Sequence, residues 1–134
     1  MKIAIAANGA KMDSLIPDNF EESTFLLIAE TDDGSFETFK NPEGQESIGM
    51  AMVREILKQD CEAVICGVIE KEAFEELAAA QITRYMGANR SAADALNLMD
   101  TYKLDIIRVP KGEVYDPDTH NHGPANCEGD KDYA

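Results

Sequence analysis

The sequence predicts an α/β sandwich, a mixed five-stranded sheet covered by helices, and three observations carry that prediction. Two short apolar runs, Lys2–Ala7 and Ala63–Cys66, end at Asn8-Gly9 and Gly67, as buried strands entering turns do. An Asp33-Gly34 step joins two strand-like stretches into a hairpin, which requires an antiparallel pair. Apolar residues at helical spacing then alternate with further strands, and right-handed crossovers make those strands parallel.

Taken in order, the first strand leads into a segment over 9–23 rich in Gly, Asp, Ser, Pro and Asn, with Met12, Leu15, Ile16 and Phe20 as apolar anchors. Such a long loop, packed down by a few side chains, is a place where function concentrates. Residues 24–30 and 35–40 are the hairpin arms. After Asn41-Pro42, the spacing of Ile48, Met52, Val53, Ile56 and Leu57 predicts a helix ending near Gln59, with Ser47 as its cap. Beyond the strand 63–66, Ile69, Ala73, Phe74, Leu77 and Ala78 continue at helical period, giving strand, glycine turn and helix. A short strand over 82–85 follows. Ser91, with Asp94 three residues on, matches a capping box for a third helix whose inner face is Ala92, Ala95, Met99 and Tyr102. Residues 104–109 could add an edge strand to these five. From Pro110 onward Gly, Pro, Asp and Asn dominate, so the expected organisation is a domain over 1–109 and an acidic tail over 110–134.

Composition narrows the function. The chain has 134 residues, 44% of them hydrophobic, enough for one core without disulfide staples. Lys and Arg total 12 against 26 Asp and Glu, a net charge of -14 that repels polyanions, so nucleic acid is not expected as a partner. No apolar run approaches the roughly 18 residues of a membrane span, and no signal peptide pattern follows Met1, so the expectation is a cytoplasmic protein with no membrane partner. The cysteines are Cys61, Cys66 and Cys127, an odd set. An extended chain from 61 to 66 spans roughly 16 Å, so the first two do not pair with each other.

Two constellations have chemistry. His120-Asn121-His122 places both imidazoles on one side of an extended segment, and Gly123-Pro124 permits a turn that returns Cys127, a set suited to Zn, Cu or Ni. Asp116, Asp118, water or a second subunit would complete this divalent metal site, which makes a homodimer one arrangement. The second is the rim beyond the ends of the first and fourth strands, where open α/β sheets collect ligands. Asn8, Gly9, Met12, Asp13, Gly67, Val68 and Ile69 fall there: amides for an anion and a thioether for a soft metal. Met50 and Met52 read as packing residues, and the acidic run Glu70, Glu72, Glu75 and Glu76 as a helix start that favours its dipole. Cys66 reads as packed inside the sheet.

Taken together, Met1-Lys2-Ile3-Ala4-Ile5-Ala6, the loop with Asp13-Ser14 and Phe20, the hairpin ending at Asn41-Pro42, and Ala63-Val64-Ile65-Cys66-Gly67 before Ala73-Phe74-Glu75-Glu76-Leu77 resemble one family over about residues 1–104. It is the dinitrogenase iron-molybdenum cofactor biosynthesis family, with its NifX-like domain. The resemblance implies a three-layer α/β/α fold of ribonuclease-H-like topology. It also implies a role in binding or handing on the iron-molybdenum cofactor, its precursors or another metal-sulfur cluster, with donor or acceptor proteins of a cluster-assembly pathway as partners.

Two departures stand out. The family commonly carries His-Phe-Gly-Arg in the first loop, where this chain has Asn19-Phe20-Glu21-Glu22, losing the imidazole, the glycine and the cation together, and with them favourable partners for an anionic cluster. Of the family's Gly-x-x-Gly turn, Gly67 is kept and the second glycine is Glu70, whose carboxylate is expected where an anion would sit.

Enzymatic readings find little support. Two-metal nuclease chemistry needs clustered carboxylates, and residues 2–8 hold none. No Ser-His-Asp order, phosphate loop or dinucleotide fingerprint is present. The expectation is a non-catalytic carrier or accessory protein. The alternative is a ligand-less regulatory or protein-interaction module of the same fold.

Overall fold

The computed structural model of the chain describes residues 1–42 and 49–113. Its centre is β1 (Lys2–Ala7), whose last five residues are all buried because the strand is covered on both faces. β2 (Phe25–Glu30) pairs with it antiparallel, and β3 (Phe36–Lys40) pairs antiparallel with β2. On its other side β4 (Ala63–Cys66) pairs with β1 in parallel, with Ile3 opposite Ala63, and β5 (Thr83–Met86) pairs in parallel with β4. The sheet order is therefore β3-β2-β1-β4-β5, the mixed five-stranded sheet that the sequence predicts.

The three helices are α1 (Met50–Lys58), α2 (Lys71–Ala79) and α3 (Ala92–Asp100). Alternating side chains of each strand divide between two cores. Ala4, Ala6, Val64 and Cys66 meet Met52, Val53 and Ile56 of α1 and Ala73, Phe74 and Leu77 of α2. Ile3, Ile5, Ala7 and Ile65 meet Ala92, Ala95 and Met99 of α3. Helices thus cover both faces, each fully buried Ile or Leu contributing about 1.5–3 kcal/mol.

Several local expectations are corrected. The N-cap of α1 is Gly49 rather than Ser47; Ser47 and Ile48 lie outside the described residues. Gly49 has φ +83°, and a Cβ there would stand 2.8 Å from Cε2 of Phe20, so glycine lets the first loop pack under the helix start. Leu15 and Leu57, expected to face inward, are exposed. Tyr102 is 94% exposed instead of lining α3, because the helix ends at Asp100 and the left-handed backbone at Tyr102 turns its ring away. Residues 104–109 form a single antiparallel bridge, Tyr85 to Ile106, rather than a strand. At Pro110 the chain is still buried, and the Lys111 N–H donates to the Ile69 carbonyl at 2.7 Å. Among the described residues no helix is long and apolar enough to cross a membrane.

Candidate functional site

The carboxyl ends of β1 and β4 open toward the first loop, and that loop folds over them. Within it Phe20–Glu22 form one turn of 3-10 helix, with Phe20 fully buried in the α1/α2-side core. The chain entering this turn is stitched to the β4–α2 turn by main-chain bonds. Val68 N–H donates to the Asp18 carbonyl at 2.8 Å, and Phe20 N–H donates to the Val68 carbonyl at 2.8 Å. Gly67 makes this approach possible, since a Cβ there would lie 2.1 Å from the Asp18 carbonyl oxygen.

The start of α2 receives a carboxylate, but not the one expected. Glu70 is the N-cap residue and makes no side-chain cap; its carboxylate stands 3.8 Å from the Lys111 ammonium instead. Glu21 reaches in from the loop, and its Oε2 accepts from the Glu70 N–H at 2.9 Å. Glu21 is buried, its Oε1 has no partner, and burial pushes its pKa up against the lowering effect of the Glu70 bond. Negative charge at a helix start is favoured by the dipole, so this chain fills that position with a residue of its own.

The start of α3 is closed as well. Ala92 and Ala93 donate to the carbonyls of Ser14 and Met12 at 2.9 and 2.8 Å, and the Asp94 N–H donates to Ser91 Oγ at 3.1 Å. The capping box is half realised, because the Asp94 carboxylate turns to Arg90 at 3.6 Å.

The seven predicted rim residues are not gathered into one cavity. Asn8 is exposed, its N–H bonded to the Leu15 carbonyl and its own carbonyl accepting from Thr24 Oγ1 at 2.7 Å. Gly9 lies against Ser14, and Asp13 is exposed. Met12 packs against the α3-side core and borders a shallow pocket of about 150 Å³ with Phe36 and Leu96. Gly67 and Val68 lie beneath the first loop, and Ile69 is a fully buried core residue. His120, His122 and Cys127 lie outside the described residues.

Among the described residues no group of three or more His, Cys, Asp or Glu side chains is arranged to hold a metal ion. Cys61 and Cys66 are buried free thiols; burial pushes the first up to about 11 and the second higher still, so neither offers a thiolate near neutral pH. Two residues of consequence escape the sequence reading. Glu21 was legible only as a residue standing where the family has glycine, since nothing in the local pattern marks a loop carboxylate as buried. Arg84 interrupts a strand whose flanking Ile82 and Met86 face the core, and that alternation is the signal that would have found it.

Comparisons with known proteins follow the same lines. The structure superposes on the apo form of the orange protein from Desulfovibrio gigas with a TM-score of 0.75 at 18% identity, covering 82% of this chain and 95% of that one. A candidate NifB protein from Thermotoga gives 0.72 at 22% identity, covering 83% and 98%. A candidate dinitrogenase from Methanocaldococcus jannaschii gives 0.63 at 21% identity, covering 82% and 97%. At such identities these likenesses show the fold. No curated protein matches the chain in sequence. The family model described as dinitrogenase iron-molybdenum cofactor matches residues 1–102. By that match, which spans both strand-end turns and all three helices, the chain belongs to the dinitrogenase iron-molybdenum cofactor family.

Proposed function

We propose that this protein is a non-catalytic accessory factor that receives an iron-molybdenum-type or other metal-sulfur cluster as cargo and passes it between a donor and an acceptor protein of a cluster-assembly pathway. The observation that carries the reading is the family match over residues 1–102. The sheet supports it: β2 alone runs against the other strands, an arrangement consistent with the ribonuclease-H-like topology of the family.

In this reading the folded domain and the tail divide the work. Asn8 and Asp13 face outward beyond β1 and Gly9 packs against Ser14 between them, while Gly67, Val68 and Ile69 shape the neighbouring turn and Met12 anchors the loop from behind. The described domain lacks a ready set of ligating side chains, so the metal-coordinating groups are His120, His122 and Cys127, in one chain or shared between two in a homodimer. Their mix of imidazole and thiolate also accepts a single divalent ion.

The test is anaerobic purification and reconstitution of the full chain, beside a His120→Ala/His122→Ala/Cys127→Ala variant, followed by elemental analysis and absorption spectroscopy. Iron, molybdenum or copper with charge-transfer bands, lost in the variant, is the expected result. Protein that stays colourless and metal-free after reconstitution overturns it.

One observation favours a second reading, a ligand-less interaction module. The Val68 N–H and carbonyl are both taken by the first loop, and Glu21 sits at the start of α2. A chain that binds no cluster and captures a protein partner would fit that reading.

A further inference from the structure

In a chain of net charge -14, one pocket has, among the described residues, two arginines and no acidic residue in its lining. It has a volume of about 220 Å³ and is bordered by Gln81, Ile82, Thr83, Arg84, Ile106 and Arg108. Its place in the fold separates it from the strand-end rim. Thr83 pairs with Ala63, the first residue of β4, whereas Gly67 follows the last, so the two sites lie toward opposite ends of the sheet.

The Arg84 guanidinium is held in a fixed pose. Its carbon lies 4.7 Å from the centroid of the Phe74 ring, and Nη1 donates to the Ile82 carbonyl at 2.7 Å. These contacts leave the edge formed by Nε and Nη2, the edge that takes a carboxylate or phosphate through two parallel hydrogen bonds. Nε is buried and has no acceptor, and among the described residues no carboxylate stands within salt-bridge distance of this guanidinium. Burial pulls its pKa below the ordinary guanidinium value, as expected for a cation withdrawn from water without a counter-anion. A buried donor without an acceptor is costly, and chains as acidic as this one have carboxylates in abundance with which to pair it.

We infer that this pocket is a binding site for a small oxyanion, a carboxylate or a phosphate gripped by the free edge of Arg84 with Arg108 as the second cation. The inference stands apart from the cluster reading, because it uses none of the same residues. An anion placed there gains charge-assisted bonds in a partly desolvated setting, where they are worth more than on an open surface.

The test is an NMR titration of the full-length protein, following the Arg84 Nε–H and the amides of Thr83 and Arg108, with inorganic phosphate in one arm and succinate in the other. Saturable shifts with either anion are expected, and which one saturates at lower concentration separates phosphate from carboxylate. Arg84→Gln and Arg108→Gln should each weaken binding about tenfold or more, and Arg84→Lys should follow Arg84→Gln because the fork, not the charge alone, is being used. Arg90→Gln, whose side chain pairs with Asp94 on the surface, should leave the titration unchanged. Retained amide dispersion in each variant separates lost binding from lost folding, with Arg108→Gln as the check should Arg84→Gln fail to fold. Shifts that stay linear to about 10 mM in both arms, or equal affinity in wild type, Arg84→Gln and Arg108→Gln, would overturn the inference.

Discussion

The backbone N–H of Glu70 donates to Oε2 of Glu21 across 2.9 Å, joining two residues 49 positions apart and fastening the first loop to the start of α2. With the Asp18–Val68 and Phe20–Val68 bonds, it makes loop and turn one unit. The chain thereby settles locally what a bound anion would otherwise do: it complements the α2 dipole and covers the amide of Val68.

That arrangement has a pH signature. Glu21 is buried and interacts with charged and titratable groups of three segments: Glu70 at the start of α2, the Cys66 thiol at the end of β4, and Lys111 from the segment after α3. Desolvation raises its native pKa, and the Glu70 bond only partly offsets this. A carboxyl group whose native pKa is raised contributes stability that is full below the ordinary Glu value and is lost as pH rises through the native one. Glu21→Gln removes the titration, so its urea midpoint should exceed that of wild type above this window and lose the advantage below it. Parallel curves for the two proteins across about pH 4 to 8 would show that Glu21 carries no such linkage.

Gly67 is the steric hinge of the same unit. A Cβ there would meet the Asp18 carbonyl oxygen at 2.1 Å, its carbon at 2.4 Å and the Pro17 carbonyl oxygen at 2.4 Å, all backbone atoms that cannot rotate away. Gly67→Ala should therefore destabilise the fold by about 3 kcal/mol or more, or expel the first loop, whereas an ordinary exposed Gly→Ala change stays near 1 kcal/mol. Amide exchange at Val68 and Phe20 reads the second outcome directly. A variant with wild-type stability and protected amides at both positions would contradict the reading.

The buried thiols give a chemical check on the core. Cys66 faces α1 and α2 from the end of β4, and Cys61 sits just before β4 with its pKa pushed up to about 11. Thiolate is the reacting form, so alkylation of native protein by iodoacetamide near neutral pH should leave both unmodified, and both should react fully in urea. Rapid native labelling of either, located by peptide mass, would mean that the domain opens there far more readily than its packing indicates.

The order of strands and helices was legible because each buried strand is a continuous apolar run and each helix carries its stripe at 3.6-residue spacing. Periodicity does not report where an element stops, which is why Tyr102 reads as a helix position although α3 ends two residues earlier. Nor does it distinguish a strand from one isolated bridge, as at Ile106. The candidate site was legible only as a neighbourhood. Asn8 and Gly67 mark two strand ends, but a single-sequence reading has no access to the fold-back of 17–21 that covers Val68. That fold-back depends on contacts between residues some 50 positions apart, and the burial of Glu21 is its consequence.

The start of α3 offers the most local of the tests. Three first-turn amides, those of Ala92, Ala93 and Asp94, are bonded, the first two by carbonyls of the first loop and the third by Ser91 Oγ. Ser91→Ala strands only the Asp94 N–H, which lies at an exposed residue where water can replace the lost acceptor. The cost should be about 1 kcal/mol, a fall of roughly 3–5 °C in Tm for a domain of this size, and Ser91→Asp should restore most of it. Arg90→Ala breaks an exposed 3.6 Å pair beside the same cap and should cost no more than a few tenths of a kcal/mol. If Arg90→Ala proved the more damaging change, the α3 start would owe its stability to the ion pair, and the hydrogen-bonded seal described by Ser14, Met12 and Ser91 would be secondary.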